Sequence, residues 1–131
     1  MVESVTPFLM FEGRAAEAMA FYASLFSDTE IVELDRRGPG EEGPEGTVRR
    51  GRIALAGREI MCFDSPVAHG FTFTPASSLF VVCETEAEID RLYAALLEGG
   101  VALMPIDNYG FSRRFGWLND RFGVSWQLSL D

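Results

Sequence analysis

Residues 123–130 read GVSWQLSL, and their polar and apolar positions alternate. The spacing predicts a strand with Val124, Trp126, Leu128 and Leu130 on one face and Ser125, Gln127 and Ser129 on the other. A glutamine between two small hydroxyls suits either a solvated sheet face or the floor of a binding cup. Two other stretches carry the helical period. Ala18, Phe21, Tyr22 and Leu25 fall on one stripe of a helix in EAMAFYASLF, and Ile89, Leu92, Tyr93 and Leu96 on one stripe in EAEIDRLYAALL. Thr85 and Glu88 have the spacing of a capping box at the start of the second helix, and Gly99–Gly100 ends it.

The two helical segments belong to a repeat. TPFLMFEGRAAEAMAFYASLF (6–26) can be laid without a gap over SSLFVVCETEAEIDRLYAALL (77–97), which pairs Tyr22 with Tyr93 and Leu25 with Leu96. Each copy is a short apolar strand followed by an amphipathic helix. Strand-like stretches follow: EIVELDRR, TVRRGRIALA and REIMCF in the first half, then VALMP, FSRRFGWLN and GVSWQLSL in the second. Gly57 predicts a hairpin turn, and Asn119–Asp120 takes that place in the second half. Each half therefore reads β-α-β-β-β. Two copies of a unit that cannot bury itself alone imply one pseudo-twofold domain over 1–131, with module one at 1–66 and module two at 67–131. RGPGEEGPEG (37–46) reads as an exposed, mobile hairpin loop. It lacks the Gly-Lys-Ser/Thr of a P-loop.

Composition narrows the function classes. With 131 residues the chain can bury a core without staples. Its net charge of −9 and its lack of lysine disfavour nucleic acid and anionic membranes and remove Schiff-base chemistry. No apolar run approaches the roughly 20 residues of a membrane span, and the N-terminus lacks the pattern of a signal peptide. Cys62 and Cys83 sit in apolar runs and read as buried free thiols of a reducing, cytoplasmic compartment, with pairing left open by the spacing.

The paired pattern, the EAMAFY helix and the stretches HGFTFTPASSLFV (69–81) and NYGFSRRFGWLNDRFGVSWQLSL (108–130) resemble the vicinal oxygen chelate superfamily, which includes glyoxalase I, extradiol dioxygenases and bleomycin-resistance proteins. More narrowly the chain resembles the PhnB-like, demethylubiquinone methyltransferase-like branch. The resemblance implies an α+β glyoxalase-like fold, in which two β-α-β-β-β modules form a curved mixed-sheet cup with helices outside. It also implies a homodimer. Metal-using members place His and Glu ligands on the first and last strands of each module. The matching positions here are Thr6 or Pro7, Ser77 or Ser78, Cys62 or Phe63, and Gln127, and none is a histidine or carboxylate. No metal and no cofactor is therefore expected. No glycine-rich turn opens either helix, so the residues give no support to a methyl-donor site.

The candidate pocket residues are Gln127, His69, Trp117, Ser78 and Tyr109. His69, the one histidine, could act as a base, or it could hydrogen-bond the linker. Gln127 could orient a ligand or make a cross-strand bond to the serines. Trp117 could line the cup, whereas Trp126 reads as core beneath a helix. Tyr109 and Phe111 could form the cup rim or a packed turn. A soft metal set of Cys62, Cys83 and His69 has no support from spacing. Arg113–Arg114 could face an acidic ligand, or form a solvated edge or dimer ion pairs. The preferred reading is a protein that binds a small molecule without a catalytic metal. The alternative is a metal-dependent or His69-assisted enzyme of lyase, isomerase or dioxygenase type. A third reading, a structural or regulatory dimer, predicts a cup filled by Phe8, Met10, Phe80 and Trp117.

Overall fold

The computed structural model describes residues 1–131. Its elements run β1 (Phe8–Phe11), α1 (Ala15–Leu25), β2 (Thr29–Arg36), β3 (Val48–Leu55), β4 (Arg58–Asp64), β5 (Ser78–Cys83), α2 (Glu86–Leu97), β6 (Val101–Asp107), β7 (Arg114–Asn119) and β8 (Ser125–Leu130). The β-α-β-β-β reading of each half is thus observed. The chain divides into two compact units, Met1–Gly70 and Phe71–Asp131. Each holds one open four-stranded sheet, in the orders β1-β4-β3-β2 and β5-β8-β7-β6. In both, the first and last strands pair in parallel and the other pairs are antiparallel.

In the first unit α1 buries Ala15, Ala18, Met19, Tyr22 and Leu25. Met19 takes the place expected of Phe21, which is half-exposed. The helix lies against β3 at Gly51, where an added Cβ would come within 2.6 Å of the Met19 sulfur. No side chain of its own first turn caps α1. Instead the carboxylate of Asp64, 1% exposed at the end of β4, accepts hydrogen bonds from the backbone N–H groups of Gly13, Ala15 and Val48 at 2.8, 3.0 and 2.9 Å. A negative charge at the N-terminal end of the helix meets both the orphan donors and the positive end of the dipole. Ala56 and Gly57 both have positive φ, the geometry of a two-residue primed hairpin turn between β3 and β4. The base of the 37–46 loop is held by Arg37, which is buried and whose guanidinium donates to Thr47 Oγ1 and the Val48 carbonyl.

In the second unit α2 starts on the expected cap. Thr85 Oγ1 accepts from the Glu88 N–H at 3.1 Å, and Glu88 reaches back to the Glu84 N–H. The helix buries Ile89, Leu92, Tyr93 and Leu96 against β7, where the Tyr93 ring lies over Gly116. A Cβ on Gly116 would come within 2.5 Å of that ring. Gly99, at φ +76°, releases the chain toward β6. The turn between β7 and β8 is built on Asp120, which accepts from the N–H groups of Phe122 and Val124 and from the indole of Trp126 at 2.8 Å. Trp126 is therefore core on the helix side, as its alternation predicts.

The gapless overlay of the repeat holds for the helices and slips by one residue in the strands. Three residues, Glu12 to Arg14, join β1 to α1, and only Glu84 and Thr85 join β5 to α2. In consequence Leu9, which the overlay puts on Phe80, faces its helix through its neighbour Cys62, whereas Phe80 pairs with Gln127 on the face away from α2.

Candidate functional site

The side of the second sheet away from α2 follows from register. Gly116 meets the helix, so Phe115, Trp117 and Asn119 of β7 point to the other face. Their partners on β8 are Ser129, Gln127 and Ser125, whose own partners on β5 are Val82, Phe80 and Ser78. None of these nine side chains carries a charge.

Four of them are joined by hydrogen bonds. The Trp117 indole donates to Ser125 Oγ at 2.9 Å. Ser125 Oγ and Ser78 Oγ lie 2.7 Å apart, and the Gln127 amide nitrogen donates to Ser78 Oγ at 3.3 Å. Ser125 is buried, whereas Ser78, Trp117 and Gln127 are half-exposed. The third hydroxyl of the alternating strand goes elsewhere. Ser129 is buried, 2.9 Å from Ser112 Oγ, and donates to Asp131.

Tyr109 reaches the same face from the β6–β7 connection. Its ring stacks on Phe111 and meets the edge of Phe115, the neighbour of Trp117 on that face, with ring centroids 6.2 Å apart in both cases. Its hydroxyl donates to the Pro105 carbonyl. An open depression of about 400 Å³ beside it is lined by Asn108, Gly110, Phe111, Ser112, Arg113 and Asp131. Arg113 and Arg114 diverge as alternation requires. Arg114 pairs with Asp90 of α2 at 2.6 Å, and the exposed Arg113 donates to the Asp131 carbonyl.

His69 belongs to the first unit, within the connection that follows β4. Its Nε2 is 2.9 Å from Ser65 Oγ, and its backbone N–H donates to Glu12. Ser65 Oγ also contacts the Val67 carbonyl and N–H, so serine and histidine together staple this turn. The structure brings Gln127, Ser78 and Trp117 together, sets Tyr109 beside them, and places His69 in a different local network. Two polar members of the second-sheet network stand outside the list of candidates and matter most. Ser125 is its hub, and Asn119 Oδ1 is a buried acceptor that meets no donor.

The donor set does not fit the metal that the superfamily resemblance implies. Nowhere do three His, Cys, Asp or Glu side chains gather, and the neighbours of Gln127 are hydroxyls and an indole. The thiols are no better placed. Burial pushes Cys62 up to about 12, with Asp64 adding to the effect, and burial then Glu88 push Cys83 up to about 11. A thiol held so far above neutrality is protonated and is a poor nucleophile.

Residues 3–129 match the family described as 3-demethylubiquinone-9 3-methyltransferase. The chain belongs to that family. Among solved structures, the PhnB protein of Bacillus cereus is 55% identical, with 98% of this chain and 100% of that one covered and a TM-score of 0.96. Protein YjdN of Escherichia coli strain K12 is 22% identical, with 96% of this chain and 94% of that one covered. A glyoxylase/bleomycin resistance protein/dioxygenase domain from Frankia sp. EAN1pec is 15% identical, with 99% and 93% covered and a TM-score of 0.67. The fold of this PhnB-like chain is accordingly an α+β glyoxalase-like fold. No helix is long and apolar enough to cross a membrane.

Proposed function

We propose that this PhnB-like protein binds a small, uncharged molecule on the helix-free face of its second sheet, without a catalytic metal. The observation that carries the reading is the Ser78–Ser125–Gln127–Trp117 cluster. A neutral hydrogen-bonding set beside the aromatic and aliphatic surfaces of Trp117, Phe80 and Val82 has the make-up of a ligand site, few convergent polar groups among apolar walls. Tyr109 borders that surface, and His69 serves as a second, separate candidate contact. The protein acts as a homodimer in the cytoplasm. Phe8, on the edge strand β1, supplies exposed apolar surface for a second copy, and two buried free thiols suit a reducing compartment. The family's methyltransferase description is not carried over to this chain, because each sheet has a single parallel strand pair and no glycine-rich strand-to-helix turn.

A fragment screen by thermal shift, run in parallel on the wild type and Gln127→Ala, tests the reading. Fragments that raise the melting temperature of the wild type and fail to raise that of the variant support it. A hit set that stabilises both proteins equally overturns it.

A further inference from the structure

The hydrogen-bond inventory of the cluster says what kind of molecule fits, and this inference rests on the proposed binding face. Ser125 is buried, so its hydroxyl must both accept and donate within the protein. It accepts from the Trp117 indole, and the acceptor within reach of its own proton is Ser78 Oγ. Ser78 Oγ thus receives the Ser125 proton and one N–H of Gln127, and its own proton is left for whatever covers the face. The Gln127 amide makes that single bond, which leaves its carbonyl oxygen as an open acceptor. Asn119 Oδ1, in register with Ser125, is buried without a donor and is therefore closed to a ligand on the face. The face therefore offers one hydroxyl donor and one carbonyl acceptor, with no charged side chain on β5, β8 or β7 beside them.

We infer that the ligand carries a carboxamide group on a flat apolar body. A carbonyl oxygen takes the Ser78 proton, and an amide N–H satisfies the Gln127 carbonyl. The flat body lies against Trp117 and Phe80, which is 60% exposed. A carboxylate has no N–H to give, and in a chain of net charge −9 it meets acceptors without a cation. An ammonium group can donate to the Gln127 carbonyl, but it gives the Ser78 proton no acceptor and finds no carboxylate among the partners of Ser78 and Gln127.

Four probes of one size separate the possibilities: benzamide, methyl benzoate, benzoate and benzylammonium. Titrations are followed on ¹⁵N-labelled protein through the Trp117 indole and Gln127 side-chain resonances. Benzamide is expected to move both and to bind at least about tenfold more tightly than each of the other three. Gln127→Ala should remove that advantage. Gln127→Glu, which keeps the shape, should transfer it to benzylammonium. Equal binding of all four at these resonances overturns the carboxamide assignment and leaves the binding face standing. Tighter binding of benzoate or benzylammonium to the wild type overturns it as well. If none of the four moves either resonance, both the assignment and the binding face fall.

Discussion

The two sheets share an order and a topology, yet their helix-free faces are built from different chemistry. On the first, Glu33, Arg50, Arg52 and Glu59 form a strip of ion pairs across β2, β3 and β4, and Phe8 stacks on Phe63 at 4.8 Å. The hydrogen bond from Arg52 holds the Glu59 carboxyl below its usual range, against the opposing effect of burial. Every charge in that strip has an ion-pair partner, although Glu33 Oε1 is buried without a hydrogen bond. The second face carries serines, an asparagine, a glutamine and an indole, with one acceptor buried and unanswered. Charges paired with one another offer a guest little, whereas the Ser78 proton and the Gln127 carbonyl leave a neutral surface open to one. The scaffold repeats, and the faces differ.

The scaffolds also differ in how they start their helices, and the largest expected effect follows from that. Asp64→Ala strips a buried carboxylate from three backbone donors, and should cost about 4 kcal/mol, read as the urea midpoint. Asp120→Ala, which frees two backbone donors and the Trp126 indole, should cost about 3 kcal/mol. Equal and small effects at both positions would break the view that these carboxylates organise their units. The two glycines beneath the helices give a sharper comparison. Gly116→Ala drives a Cβ into the Tyr93 ring, whose hydroxyl is tied to the Met104 carbonyl, and should cost about 3 kcal/mol. Gly51→Ala meets the flexible end of Met19 and should cost about 1 kcal/mol. A reversed order would show that the helix–sheet contact in the first unit is the stiffer one.

Thiol chemistry separates the units from denatured chain. The raised pKa of Cys62 favours the protonated, folded form, so its stabilising contribution is intact below the ordinary thiol value of 9.0 and is lost as pH rises toward about 12. Iodoacetamide at pH 8 should leave Cys62 unlabelled in the native protein and label both cysteines in urea. Rapid native labelling would contradict its burial. The smallest stability effect belongs to the binding face. Gln127→Ala should change stability by less than about 1 kcal/mol, because its one hydrogen bond is at the half-exposed surface.

Much of the fold was legible because its signals are local. Alternation in GVSWQLSL separated Trp126 from Gln127, the helical stripes placed Tyr22 and Tyr93, and Thr85 announced its cap. Alternation singled out Gln127 and the family resemblance pointed to Ser78, while only the register sets both beside Trp117. What escaped is non-local. Asp64 bonds backbone groups about fifty positions away, so nothing beside it in the chain marks it. The one-residue slip between the repeats sits in a loop whose length carries no hydrophobic pattern. Met19 displaced Phe21 because the glycine under it admits a long thin side chain. Asn119 looked like a turn residue, and only the register shows that it shares a face with Ser125.

The protein holds two tryptophans on opposite sides of one sheet, and they make the most direct test of where it binds. Indole N–H resonances should be recorded while pooled uncharged aromatic fragments are added. The account predicts that hits shift the Trp117 indole, which donates to Ser125, and leave Trp126, which donates to Asp120, in place. Hits that bind without moving Trp117 would contradict it.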